Sequence, residues 1–372
     1  MTSSLIARAT DNAAKRARER DAWEAYEQLD LDVRRRIAPL WTIVPRTGLE
    51  RTRGERGALD LGPGDDQAEL NSWLTPRMDR LIEAMADGPG RLDAAHVEGN
   101  VHGCAVSLRR LITRSRLRLV TGPERHPALQ RYAADLAFLS RRGMGIRVLV
   151  GAPPDEPMST GLLSLLDRLC LPPSLTDLIL DMGAVTDPGE AGKTAVAALD
   201  VLGTLVPWRT VVLTAGAFPR VYDSPAREPF YVSGRHDWQL HGAVRAARPT
   251  FQAAVVYGDY SAEHVFSANV PHVRPQGPPW GVMRYTAPDG FLLGRVPTRG
   301  GRDRADRVRA MARRITESAV FRGADYGDGE RWLQECADGE GVKGSGNAET
   351  WIKVGHSQHL NFVVHQLMGA EE

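Results

Sequence analysis

The sequence predicts an α/β fold, a (β/α)8 TIM-type barrel with a C-terminal β-hairpin and packing helices. Three observations carry this expectation. Short apolar, β-branched runs recur through residues 1–260, and helical patterns separate them. Several runs, among them Val148-Leu149-Val150 and Val211-Val212-Leu213, are apolar nearly throughout, as strands covered on both faces are. About eight such units in that length match the ~250 residues usual for this barrel. Alternation alone also fits a long doubly wound sheet. The size favours the barrel.

In chain order the expected strands are Ser4–Ala7, Leu40–Val44, Ala94–Glu98, Leu117–Thr121, Ile146–Val150, Leu178–Met182, Thr210–Thr214 and Ala253–Tyr257. A closed barrel requires Ser4–Ala7 to pair with both Leu40–Val44 and the strand ending near Tyr257. Helices are expected at Ala13–Leu29, where Trp23, Tyr26 and Leu29 share a side, and at Leu70–Met85. In the latter, Asn71 and Ser72 are plausible caps, and Leu74, Met78, Leu81, Ile82 and Met85 follow at helical spacing. Pro127–Leu139, Leu162–Leu169 and Thr194–Leu205 follow the same pattern.

After Tyr260 the pattern changes. Gly281–Val296 reads as two strands around the turn Ala287-Pro288-Asp289-Gly290. Arg302–Ile315 and Trp351–Leu367 read as helices that close the barrel wall or cap one end. Arg51–Asp66, and Gly327–Gly346 around a short helix, read as loops. No linker is long enough to demand a second domain. The expectation is a single domain, 1–372, with residues 1–260 as barrel core and 261–372 as the hairpin and helices completing or capping it.

Composition narrows the class. The chain has 372 residues, 42% hydrophobic and 25% charged, enough for a sizeable core. No stretch approaches the ~20 apolar residues of a membrane span. The N-terminus becomes charged at once, without the apolar core of a secretory signal. Three widely spaced cysteines, Cys104, Cys170 and Cys336, form no metal spacing or disulfide framework, which fits the reducing cytoplasm. A net charge of +1 argues against a basic, whole-surface nucleic-acid binder. Two arginine runs stand out: 109, 110, 114, 116, 118, and 299, 302, 304, 307, 309, 313, 314. Either could meet phosphates, and solvated helix faces look the same.

The motifs are incomplete. Asp187-Pro-Gly-Glu-Ala-Gly-Lys193-Thr194 has the end of a phosphate-binding loop, but Asp187 stands where the first glycine must let the backbone wrap the anion. The plain alternative is a capped helix N-terminus. His96-Val-Glu98 has the H-x-E of zinc deaminases without the downstream cysteine pair that completes the metal site. His356, His359 and His365 place imidazoles about one helical turn apart without the H-E-x-x-H form. Glu98, His356 and His359 are therefore no more than weak metal-ligand candidates, and no cofactor is identified.

In a barrel of this kind, chemistry sits where strands end. Arg46, Glu98, Glu124, Asp181, Arg220, Asp259 and Tyr260 are expected at that rim. Converging acids could bind a divalent cation or act as acid and base, and Arg220, Arg235 and Arg284 could hold a phosphate or carboxylate. The alternative is a set of structural salt bridges. The ligand-site expectation is Asp181, Arg220, Arg235, Asp259, Tyr260 and Arg284, with Asp181 and Asp259 facing each other across the mouth.

The blocks Asp177-Leu-Ile-Leu-Asp181, Thr210-Val-Val-Leu-Thr-Ala-Gly-Ala-Phe-Pro219, Arg235-His-Asp-Trp238, Tyr257-Gly-Asp-Tyr260, Met283-Arg-Tyr-Thr286 and Trp351…His356-Ser-Gln-His359 resemble the phage β-protein family, named after a T4 phage protein. The resemblance runs from about Pro39 onward; Ile352 stands where it implies an arginine. It implies a bacterial cytoplasmic protein of a prophage or mobile element, in a setting of antiviral defence, and it names no reaction. Two functions follow as expectations. One is a binding, sensing or effector component that holds an anionic ligand, a nucleic acid or a protein partner, away from membranes. The other is a metal-assisted hydrolase or phosphodiesterase acting at the rim.

Overall fold

The computed structural model describes residues 23–43, 63–85, 88–220, 230–249, 255–265, 280–299, 303–339 and 344–369. The expected strand Ser4–Ala7, the rim residue Arg46 and most of the loop Arg51–Asp66 lie outside the described residues.

Seven parallel strands form the larger sheet, in the order β1 (Leu40–Thr42), β2 (Gly90–Asp93), β3 (Leu117–Thr121), β4 (Met144–Leu149), β5 (Thr176–Ala184), β6 (Thr210–Gly216) and β8 (Val255–Asp259). β7 (Phe230–Gly234) belongs instead to an antiparallel sheet of order β7-β10-β9, in which β9 is Trp280–Thr286 and β10 is Gly290–Pro297. The parallel sheet curls into a half-barrel with helices on its outer face. Side-chain packing displays the curl. Leu40, on one edge strand, shares an apolar cluster with Tyr260 and Val265, which follow the other edge strand. Among the described residues β1 and β8 form no ladder, so the sheet there is an open half-barrel of seven strands rather than the expected closed barrel of eight.

Strand alternation sorts the side chains. Trp41, Leu92, Leu119, Ile146, Val148, Leu178, Leu180, Val211, Leu213 and Tyr257 face the helices in one large core. Leu40, Val120, Ile179, Val212 and Val256 face inward. The helical layer includes α1 (Leu31–Arg35), α2 (Pro63–Ala84), α3 (Val101–Arg114), α4 (Pro127–Ser140), α5 (Glu156–Leu169), α6 (Pro188–Val201) and α7 (His236–Ala247). α3 shows why such a segment is helical: Asn100 caps it by accepting from the Gly103 N–H at 2.9 Å, and Cys104, Leu108, Leu111 and Ile112 recur on its buried face. Each leucine so buried contributes about 1.5–3 kcal/mol.

Three expectations are corrected. β2 is Gly90–Asp93, while Ala95–Asn100 is a 3-10 turn, because inward-facing Arg91 and Asp93 interrupt the apolar pattern. α2 begins at Pro63, so Asn71 is not a cap; its side chain accepts a 2.7 Å bond from Ser107 on α3. β7 and α7 were not among the expected elements, and β7 exposes Val232 on a two-faced sheet. Gly143 is obligatory at its position. Its φ of +71° suits glycine, and a Cβ there would lie 1.8 Å from the Leu175 carbonyl oxygen.

The hairpin β9–β10 forms as expected. Its sheet packs on α8 (Arg304–Thr316), α9 (Asp328–Asp338) and the start of α10 (Ala348–Gly369), through Tyr285, Leu292, Met311, Ile315, Leu333 and Trp351. The end of α10, Leu360 to Leu367, joins the core of the half-barrel. All three cysteines are free. Among the described residues no helix is long and apolar enough to cross a membrane.

Candidate functional site at the strand ends

Two adjoining polar networks occupy the C-terminal ends of the strands. In the first, Asp93 of β2, Arg147 of β4 and Asp181 of β5 point inward and meet Tyr260, just beyond β8; all four are buried. Arg147 Nη1 donates to Asp93 Oδ2 at 2.8 Å and its Nε to Asp181 Oδ2 at 2.8 Å. Its Nη2 reaches the Tyr260 hydroxyl at 2.8 Å and also contacts Asp181 Oδ2. The Tyr260 hydroxyl donates to Asp181, lying 2.6 Å from Oδ1. Arg125 adds a 3.0 Å bond to Asp93 Oδ2. Burial pushes the Asp93 carboxyl up, but Arg125, Arg147 and the Ala95 N–H outweigh it and hold the group below the usual carboxylate range. Burial opposes charge on Arg147 too, and Asp181, Tyr260 and Asp93 raise it well above the usual arginine value.

The second network lies where β8 and β9 meet α10. Asp259 shares a strand face with Tyr257, the face turned to the helices. The Tyr257 hydroxyl lies 2.5 Å from Asp237 Oδ2 and 2.8 Å from Asp259 Oδ2, and its single proton serves one of them at a time. Arg235 precedes α7, is fully buried, and donates to Tyr257 at 3.1 Å and to Gln366 Oε1 at 2.7 Å. His359 Nε2 is 2.9 Å from Asp259 Oδ2, and its Nδ1 is 2.9 Å from Thr286 Oγ1. Burial raises the Asp259 carboxyl, yet His359, Arg235 and the Ser261 N–H together hold it below its ordinary value. Burial and the two carboxylates push the Tyr257 phenol well up.

Beside this pair, Ser261 Oγ is 2.8 Å from His356 Nδ1. Ser261 has φ +55°, a left-handed backbone that a non-glycine residue adopts at a cost. Burial lowers His356 to about 4. Arg284 of β9 reaches Glu263 at 3.3 Å and stacks over Phe218.

The sequence-derived candidates therefore fall into separate places. Asp181 and Tyr260 share the inward network, and Arg235 and Asp259 share the second. Arg284 adjoins the latter through Glu263. Arg220 is exposed where the chain leaves β6, and Glu124 is exposed after β3. Asp181 and Asp259 lie on opposite faces of the sheet, because Asp181 is level with Thr214 and Asp259 with Ala215. The facing pair expected from the sequence is thus absent. His96 is exposed, and the Glu98 side chain lies outside the described residues. His359 has both ring nitrogens within hydrogen-bond distance of protein oxygens, which leaves no ring nitrogen open for a metal. Among the described residues no group of three His, Cys, Asp or Glu side chains could hold a metal ion.

Other motifs resolve locally. Asp187 caps α6, accepting from the Gly189 N–H at 2.8 Å and the Glu190 N–H at 3.2 Å, and exposed Lys193 pairs with Glu190. The α8 arginines are engaged one by one: Arg304 on the Gly346 carbonyl, Arg313 on the Ala337 carbonyl, Arg314 over the Phe230 ring. Arg147, Asp93, Asp237, Tyr257, Ser261 and Glu263 were not among the candidates. A charged residue within an apolar run, as in Ile146-Arg147-Val148, is the signal that marks the first of them.

No curated protein matches the sequence. The family model described as Beta protein matches residues 16–365, and the chain belongs to that family.

Proposed function

We propose that this protein is a binding or sensing component of a phage-related antiviral defence system in the cytoplasm, holding an anionic ligand or partner at the strand ends without turnover. One observation carries the proposal: Arg147 ties Asp93, Asp181 and Tyr260 into one buried network. A carboxylate held by a guanidinium and a phenol is poorly placed to shuttle protons, whereas a locked network gives a rigid rim for recognition. The resemblance to phage β-proteins supports the setting. The proposal includes a closed barrel of one domain, in which an eighth strand fills the gap between β1 and β8. The inward apolar cluster, which includes Leu40 at one edge and Tyr260 and Val265 at the other, supports it.

The test is the purified full chain against nucleotides and nucleic acids, with and without Mg²⁺ or Mn²⁺. Saturable binding without product is the expected result. Reproducible turnover, lost in Asp181→Ala, overturns it.

A hydrolytic reading has one observation in its favour, the contact of left-handed Ser261 with neutral His356. Ester hydrolysis abolished by Ser261→Ala is the outcome that would establish it.

A further inference from the structure

The opposite end of the half-barrel has a different charge balance. Asp177, near the start of β5, is fully buried and receives Arg91 Nε at 3.0 Å and Nη2 at 2.7 Å, and Arg209 Nε at 2.7 Å. Arg118 of β3 approaches the same carboxylate as an ion pair at 3.5 Å. Among the described residues three guanidiniums crowd this one carboxylate. At the strand ends, by contrast, Asp93 and Asp181 face Arg147 and Arg125. Arg142 adds to the crowding; its own donors go to the carbonyls of Ser115 and Ile112.

Donors remain unused within this cluster. Arg209 Nη2 and Arg118 Nε are buried and, among the described residues, have no hydrogen-bond acceptor. Buried donors are normally paired, so each such atom calls for an explanation. The Arg118 and Arg209 side chains are 29% and 21% exposed, so solvent reaches this end of the sheet. Arg118 is lowered to about 10 by burial first and then by Arg209, with Arg91 and Arg142 adding to it against the pull of Asp177.

We propose that the N-terminal end of the parallel sheet is a binding site for a phosphate-type oxyanion, with Arg118 and Arg209 as its ligands and Arg91 and Asp177 as positioning residues. A tetrahedral oxyanion carries several acceptor oxygens and can take the Arg118 Nε and Arg209 Nη2 donors at once, with the charge-assisted geometry that guanidinium favours. The site is independent of the rim reading above, since it lies at the other end of the strands.

The probe is inorganic phosphate, titrated into the full chain by calorimetry at ionic strength matched with chloride. One saturable site is expected, weakened about tenfold or more in Arg118→Gln and partly kept in Arg118→Lys. Arg209→Lys, which keeps a charge beside Asp177 but removes the fork, serves if Arg118→Gln does not fold; it too must weaken binding. Arg110→Gln, on the outer face of α3 beside Asp79, must bind as the native chain does. Adenosine 5′-phosphate against adenosine then separates a nucleotide-borne phosphate from the free ion. Phosphate heat no larger than that of matched chloride, or a site untouched by both Arg118→Gln and Arg209→Lys, overturns the proposal.

Discussion

The Arg147 guanidinium bridges Asp93 and Asp181, donating to each at 2.8 Å, and so ties β4 to β2 on one side and to β5 on the other. Removing it takes the shared cation from two buried carboxylates, leaving Asp93 with Arg125 and Asp181 with the Tyr260 hydroxyl. Arg147→Met should cost about 3–5 kcal/mol, as breaking a buried ion pair from one side does. Arg147→Lys should recover little of this, since one ammonium cannot reproduce the fork. Urea unfolding measures both, and a loss under ~1 kcal/mol for Arg147→Met contradicts the role assigned to it.

Acid should weaken the fold in two stages. His241 and His356 stand at about 4 in the folded chain because burial penalises their charged forms. An unfolded histidine titrates near ~6.5. Between these values the unfolded chain binds more protons, so stability falls as pH drops from ~6.5 to ~4, by about 3 kcal/mol per histidine at the limit. His241→Gln should flatten part of that slope. Asp93, Asp177 and Asp259 are held low despite burial, by their arginine partners and, for Asp259, first by His359. Their contribution is full above the unfolded value of ~3.9 and is lost as pH falls below it. Denaturation at several pH values between about 7 and 3 reads both stages.

Two glycines offer a matched comparison. Gly143→Ala places a methyl against the Leu175 carbonyl at positive φ and should cost more than ~2 kcal/mol. Gly151→Ala meets nothing within 4 Å and should stay within ~0.5 kcal/mol of the native chain. Equal melting temperatures for the two variants would sink the conformational argument.

The Lys353–Glu24 contact of 2.7 Å joins α10 to the N-terminal part of the chain, with Glu24 39% exposed. An exposed pair of this kind is worth at most about 1 kcal/mol. Glu24→Gln should leave the unfolding midpoint nearly unchanged at moderate salt, while Trp41→Ala, removing a ring packed edge-on by Trp23 and Tyr26, should cost about 3–5 kcal/mol. The reverse order of the two effects contradicts the assignment of that contact to packing.

Strands apolar on both faces were legible. Leu117–Thr121 has the bounds read from sequence, and the hairpin differs from Gly281–Val296 by one residue at each end. Strands that carry charge on the inward face of the half-barrel were less so, because Arg91 and Asp93 resemble loop residues until their partners Asp177 and Arg147 are known. Asp181 and Asp259 stood out as carboxylates in apolar strands. Which face each takes depends on register, and a shift of one residue puts them on opposite sides. The contact of Asp259 with His359 spans 100 residues and has no local signal.

That separation has a consequence during synthesis. The buried acceptor at Asp259 lacks its imidazole until α10 has been made. At ~5–20 residues per second the delay is roughly 5–20 s. Throughout that interval the half-barrel carries a carboxylate short of one partner and an uncovered apolar seam where Leu360, Val363 and Val364 will later dock. The nascent chain is then a natural client for chaperones, and ribosome-bound intermediates should differ in protease sensitivity from the released protein.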